Sequence, residues 1–372
     1  MAYVAVKGGL AAIEASLERL KYERLKGRTV VEVETIKHTL RGMIDRIMSE
    51  GSLYSRDLAA LAVKQGEGNP EEATFLLRAY RSTLPRKYYS QVIDTRNMLL
   101  KRRISAAFKD IPGGQILGAS YDYTHRLLDF SLWEEKLPDV EKWLGEFENN
   151  TAAEKENSNG YACSLVKVVD FLRKEGLLAM IAEDNTEPLD VTRKSLVFPA
   201  DRSERLQTLT RGETGAVTAL GYAAIRGYGI LHPTVGELRV GEVPVFVNYP
   251  LEENQSEEDA VYIGEIQVTE VETLFPQTRK KEGGENELEF FLGYGLCFGQ
   301  NETKAIAMSV LDYCLEKGPK DTPVSDEEFV LMHIDSVEAT GFVSHLKLPH
   351  YVTFQSKLDR VRSTKRKGGE GK

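Results

Sequence analysis

ELRVGEVPVFVN (residues 237–248), VYIGEIQVT (261–269) and LEFFLGYGLCF (288–298) are short, rich in β-formers and separated by turns or charge runs. Between the first two lie five acids in the eight residues 252–259, a composition that belongs on an exposed loop. Consecutive strands joined this way pair as hairpins, so a largely antiparallel, hairpin-built sheet is expected here. Asn301 stands where a helix cap belongs. Ala307, Val310, Leu311, Cys314 and Leu315 then form one helical stripe that Gly318-Pro319 ends.

Helices also precede the strands. RSERLQTLTRGETGAVTALGYAAIRGYG (202–229) reads as two helices broken at Arg211-Gly212, and residues 165–178 form an amphipathic helix. In the first third, Asn69-Pro70-Glu71-Glu72 supplies an N-cap, a proline at the first helical position and dipole-matched acids. Ile36, Leu40, Ile44, Ile47 and Met48 keep helical spacing, and a further short helix is expected near 55–64. The resulting class is α+β: a helical region over 1–108, then an α+β body over 109–355 with helices flanking the sheet. Residues 109–130 alternate apolar and polar after a Pro-Gly turn, like a strand entering a core. Residues 134–160, which hold one weak helix, and 250–287 read as surface insertions. Residues 356–372 finish the last element and run into VRSTKRKGGEGK, a basic tail expected to be disordered.

Composition narrows the function classes. The 372 residues are 41% hydrophobic and 28% charged, as in ordinary globular chains. No apolar run approaches the ~18 residues that span a bilayer. The opening MAYVAVKGGLAAIEASLERL lacks a basic start and carries Glu14 and Glu18, which argues for a cytoplasmic protein without a signal peptide. Cys163, Cys297 and Cys314 are too scattered for a disulfide framework, a thiolate zinc site or an iron–sulfur cluster, and read as buried thiols. The net charge of -9 divides into +7 over residues 1–103 and -16 over the rest. A basic third on an acidic body suits an anion or an acidic partner subunit, or merely solvated helix faces; no nucleic-acid-binding module is present.

Three features carry chemistry. In GFVSHLKLPHYVTF (341–354), His345 and His350 lie five apart with Pro349 between them. Pro349 disfavours a helix at Leu348, and in a turn two imidazoles can converge on one metal; a third ligand must come from His333, an acid or another chain. Two polar residues at a packed turn are the alternative. In YDYTHRLLDF (121–130), Asp122, His125, Arg126 and Asp129 combine groups that hold an anion and move a proton, or form a structural ion pair. Finally, IPGGQ (111–115, with Gly113 and Gly114), RGYG (226–229, with Gly227 and Gly229) and GYGLCFG (293–299) are glycine turns beside helices, where backbone N–H groups can approach phosphate. Arg202, Arg205, Arg211, Arg226, Arg239 and His232 gather near the second of these, which suits a triphosphate; surface ion pairs compete as the explanation.

Read together, MAYVAVKGG, FLLRAYRSTL, RRISAAFKDIPGGQILGASYDYTHRLLDF, RSERLQTLTRGETG, RGYGILHPTVGELRVG, GYGLCFG and EEFVLMHIDSVEATGFVSHLKLPHYVTFQ resemble the PhnI family, a subunit of the bacterial carbon–phosphorus lyase system. The likeness runs to about residue 355 and is weakest at 134–160, at 250–287 and in the tail. It implies a transferase that works with PhnG, PhnH and PhnL to displace the purine of ATP by an alkylphosphonate, giving α-D-ribose 1-methylphosphonate 5-triphosphate. Alone, such a chain is expected to be a nucleosidase on ATP or GTP. The resemblance further implies that His345 and His350 bind zinc shared with PhnJ, the radical subunit. From residue chemistry, His125 or His232 would protonate the leaving base and Asp122 or Asp129 would steady the cationic sugar. The glycines, with Arg126, Arg202, Arg205, Arg211 and Arg239, would hold the substrate. A zinc-bridging scaffold and a zinc-dependent nucleotide phosphohydrolase are the rival expectations.

Overall fold

The computed structural model describes residues 9–157, 165–178, 186–227, 232–248, 260–280, 286–348 and 350–369. Helices α1 (Gly9–Leu25), α2 (Val33–Thr39), α3 (Arg41–Gly51), α4 (Arg56–Gln65) and α5 (Pro70–Ser82) come first. Strand β1 (Leu99–Ile104), α6 (Leu137–Asn157), α7 (Val168–Lys174), α8 (Arg202–Arg211) and α9 (Thr214–Gly227) follow. The remaining strands are β2 (Thr234–Asn248), β3 (Ala260–Lys280) and β4 (Asn286–Phe298), after which come α10 (Glu302–Lys317), α11 (Glu327–His333), α12 (Ser336–Ser344) and α13 (Tyr351–Gly369).

The chain divides into two compact units. The first combines Met1–Thr83, Arg211–Glu213 and Leu331–Lys372. Its helices bury Ile44, Ile47, Met48, Ala59, Val63, Ala73 and Leu77. Asn69 caps α5 by accepting the Glu72 N–H at 2.9 Å, and Ser55 caps α4 through the Leu58 N–H. Two arginines hold the distant segments. Arg78 grips both carboxylate oxygens of Asp335 at 2.9 and 2.6 Å and donates to the Arg211 carbonyl at 3.0 Å, while Arg46 reaches Glu213 at 2.6 Å.

The second unit, Leu84–Thr210 with Thr214–Val330, is built on an antiparallel sheet in the order β1-β2-β3-β4. One face receives α10, whose backbone sits directly on β4: a Cβ on Gly293 or Gly295 would collide with the carbonyl oxygens of Ser309 or Ala305. Phe275 stacks on Tyr313 at 3.9 Å and Thr273 meets the Ser309 hydroxyl at 2.6 Å. The opposite face carries two apolar clusters, Met98, Val243 and Val268 at one end and Ile111, Val168, Val169, Leu172, Leu178, Leu274 and Leu292 at the other. Between them register aligns charged residues: Arg103 lies opposite Arg239, Arg239 opposite Glu270, Glu237 opposite Glu272, and Glu272 opposite Tyr294.

The α+β class, the hairpin-built sheet, the break near Arg211-Gly212 and the weak helix after residue 134 all match the sequence reading. Several elements differ. A strand, β1, lies within the stretch expected to be helical. Residues 109–130 do not form a strand; Gly113, Gly114, Gly118 and Arg126 adopt positive φ, which breaks any extended run, and only Ile116 bridges to Arg103. The centre of 250–287 is not an insertion but the long strand β3, buried from Val268 to Phe275. Residues 361–369 continue α13 instead of being disordered. Gly176, at φ 71, stops α7 earlier than expected. Asn301 sits at the N-cap of α10 but its side chain accepts no capping bond. GYGLCFG belongs to β4 up to Phe298, its glycines serving helix–sheet contact. The acidic stretch 252–259, Cys163, Gly229 and Pro349 lie outside the described residues.

Candidate functional site

Charged side chains two apart on a strand face the same side, so Glu237 and Arg239 on β2 share a face with Glu270 and Glu272 on β3. All four are buried. Arg103 of β1 enters the same layer, and so does Lys167, whose extended backbone at φ -66, ψ 148 precedes α7. Three cations thus meet three carboxylates. Arg103 Nε donates to Glu237 at 2.5 Å, Arg239 Nε to Glu270 at 3.0 Å, and Lys167 Nζ to both Glu270 and Glu272 at 3.0 Å. The Tyr294 hydroxyl donates to Glu270 at 3.0 Å and Thr95 does so at 2.7 Å.

The two glutamates of β3 are driven apart electrostatically. Burial pushes the Glu272 carboxyl up to about 7, and the neighbouring Glu270 adds to the effect against the pull of Lys167. Burial acts on Glu270 too, but Arg239 and Lys167 outweigh it and hold that carboxyl below its ordinary value. Burial and both carboxylates raise Tyr294 well above an ordinary phenol, so it remains a donor. Glu272 Oε2 has no hydrogen-bond partner among the described residues. This group can exchange one proton near neutrality from inside the sheet, a property that concentrates at functional sites. None of Lys167, Glu237, Glu270, Glu272 and Tyr294 was singled out by sequence; the signal available was charge at period two inside otherwise apolar strands.

The histidine pair belongs to the first unit. The ring centroids of His345 and His350 are 5.4 Å apart. Each Nδ1 contacts a backbone carbonyl, of Phe342 and Leu348 respectively. A carbonyl only accepts, so each Nδ1 carries the proton and each Nε2 keeps its lone pair, the tautomer a metal-binding imidazole needs. The donor set fits zinc, with two ligands supplied. His333 does not complete it: among the described residues no three His, Cys, Asp or Glu side chains form a group able to hold a metal.

The other expected residues are dispersed. Asp122 receives Arg102 Nη2 at 2.5 Å, with Arg126 3.9 Å away over the Tyr121 ring. Asp129 caps its own turn at Ser131. His125 is exposed and makes no hydrogen bond or ion pair with a described residue. Exposed His232 meets, among the described residues, the Pro233 carbonyl, through Nδ1 at 3.1 Å. Arg202 is bound to Asp312 at 2.6 Å, Arg205 to Glu316, Arg211 to Ser52 at 2.9 Å, and Arg239 lies in the ionic layer. A triphosphate would have to compete with those carboxylates. Gly113, at φ 84, and Gly114, at φ 75, hold a left-handed backbone that favours glycine, whereas nothing lies within 4 Å of a Cβ on Gly227, which ends α9. Cys297 and Cys314 are buried thiols, as expected, and burial pushes Cys314 up to about 12. No helix among the described residues is long and apolar enough to cross a membrane.

Residues 2–368 match the model of a family described as bacterial phosphonate metabolism protein (PhnI). Three curated proteins are similar over nearly their whole length. A putative C-P lyase subunit protein HtxH of Stutzerimonas stutzeri is 45% identical, over 99% of this chain and 97% of its own. The alpha-D-ribose 1-methylphosphonate 5-triphosphate synthase subunit PhnI of Rhizobium meliloti is 45% identical, over 98% and 95%. The subunit of the same description from Escherichia coli K12 is 44% identical, over 99% and 100%.

Proposed function

Because this chain belongs to the PhnI family of bacterial phosphonate metabolism proteins, we propose that it is the corresponding subunit of an α-D-ribose 1-methylphosphonate 5-triphosphate synthase. The observation that carries this reading is similarity at 44–45% identity along essentially the full length of two synthase subunits, with neither chain extending far beyond the other. In the reaction, an alkylphosphonate oxygen displaces the purine of ATP or GTP at ribose C1′. The C1′–N bond breaks, the new C1′–O bond forms, and the base leaves with a proton. Partners of the PhnG, PhnH, PhnL and PhnJ type complete the assembly, in the cytoplasm; with water in place of the phosphonate, the chain alone acts as a nucleosidase.

The reaction passes through a cationic ribose, so it needs a proton for the purine, negative charge near C1′ and a grip on the triphosphate. His125 and His232 offer exposed imidazoles for the first task, and the half-exposed Asp122 offers a carboxylate for the second. His345 and His350 would hold a zinc ion through Nε2, with a partner subunit supplying the rest of its shell; bound zinc would act there as a Lewis acid or an interface clamp.

Incubation of the co-purified complex with ATP and methylphosphonate, followed by chromatography, tests the activity. Free adenine with a ribosyl triphosphate product is expected. Release of ADP and phosphate would instead identify a phosphohydrolase, and no product with all partners present would leave a scaffold. For the metal, His345→Ala/His350→Ala should remove essentially all the zinc measured by mass spectrometry in the purified complex. Equal zinc in variant and parent would reject the assignment.

A further inference from the structure

The segment that carries Asp122 is held to the sheet by polar side chains and not by a core: every residue from Tyr121 to Asp139 is exposed. Arg102 of β1, itself buried, reaches it. Its Nη1 donates to the Leu117 carbonyl, and its Nη2 donates to Asp122 Oδ2 at 2.5 Å. Its Nε faces both carboxylate oxygens of Glu302, the first residue of α10, at 3.0 and 3.1 Å. Gln300 braces the same group, donating through Nε2 to Glu302 Oε1 and to the Ala119 carbonyl, each at 2.8 Å. Gly118, at φ 58, lets the chain come this close to β1, because a Cβ there would meet the Lys101 carbonyl oxygen at 2.5 Å.

The link from Arg102 to Asp122 does little for the fold. The buried guanidinium already has its counter-charge in Glu302, whose side chain is 19% exposed. The Asp122 side chain is 52% exposed, and an ion pair in that setting adds little stability, since water screens it and the side chain gives up its freedom. What Asp122 gains is a fixed direction. Oδ2 is engaged by Arg102, whereas Oδ1 has the Arg126 guanidinium 3.9 Å away, too far for a hydrogen bond, and so can still turn to a ligand. A carboxylate meant to steady a developing cation works best when held in place beforehand, because it then need not reorganise as the charge appears. A displacement of about 1 Å can cost about 100-fold in rate.

We propose that Arg102, backed by Glu302 and Gln300, is a positioning residue that fixes the Asp122 carboxylate beside the ribose of the substrate. The inference rests on the reading of this chain as a synthase subunit with Asp122 near C1′, and adds to it the residues that set that carboxylate's place.

The test is a double-mutant cycle on adenine release from ATP and methylphosphonate by the co-purified complex, with amide hydrogen exchange over residues 117–126 as a readout that needs no activity. Arg102→Lys keeps the charge but loses the planar fork. It should lower kcat about tenfold or more and leave KM for ATP within about twofold. Glu302→Gln, at a less buried position, should act in the same direction. Each should also speed exchange over residues 117–126 by about fivefold or more, as that segment loses its anchor. In an Asp122→Asn background neither should lower kcat further, since a residue that works through Asp122 then has nothing left to position. Losses that add to that of Asp122→Asn, or unchanged exchange, in a complex that releases adenine overturn the positioning role alone. Asp122→Asn as active as the wild type removes the group being positioned and overturns the proposal as well. A wild-type complex that releases no adenine shows instead that the synthase reading has failed, and the proposal falls with it.

Discussion

Arg103→Met is expected to destabilise the sheet unit by about 3–5 kcal/mol, the cost of breaking a buried ion pair from one side. Arg103 is fully buried, and its guanidinium does three jobs at once. It meets Glu237 at 2.5 Å, the Pro112 carbonyl at 2.6 Å and the Val166 carbonyl at 3.0 Å. Glu237 in turn accepts the Val168 N–H at 3.0 Å. One arginine therefore ties β1, the 111–115 turn and the start of α7 to the sheet. Met fills similar volume but leaves a buried carboxylate without its cation and two carbonyls without a donor. Urea unfolding measures the loss, and hydrogen exchange should show the Val168 amide opening first. Arg103→Met/Glu237→Leu should recover much of the stability, because an apolar pair needs no compensation. A loss below about 1 kcal/mol for the single variant would mean that this pair does not hold the layer.

That arrangement shows where sequence reading stops. Three of the four strands, their hairpin order and the helix that covers them were legible because alternation, turns and helical stripes are local signals; β1 was not. The His345/His350 pair was legible for the same reason: it lies within one short turn. The ionic layer was not. The acids at 252–259 made residues 250–287 look like a surface insertion, and Glu270 and Glu272 lie just beyond the strand expected to end at 269. They are buried because Arg239 and Lys167 meet them, and Lys167 stands 103 and 105 residues away in the chain. The arginines expected to hold a triphosphate illustrate the converse: Arg202 and Arg205 find Asp312 and Glu316, 110 and 111 residues on. Pairing across such distances leaves no mark in spacing or composition.

The second large effect concerns Glu272 and has a definite sign. Its folded-state pKa of about 7 lies above the ordinary 4.5, so the fold prefers the protonated carboxyl. Its contribution to stability is then full below pH 4.5 and is lost as pH rises through 7, a change of about 3 kcal/mol. Glu270 works in the opposite sense: its lowered value makes it stabilising above the ordinary carboxylate range, and that contribution is lost only as pH falls through the lowered value. Between pH 5 and 8 the slope therefore belongs to Glu272. Glu272→Gln retains the carbonyl that accepts from Lys167 and cannot ionise, so the variant should lose that slope and exceed the wild type in stability at pH 8. Urea midpoints at pH 5 and pH 8 decide it. Equal slopes in the two proteins would mean that Glu272 is ionised in the fold throughout this range, with Lys167 able to neutralise two carboxylates at once.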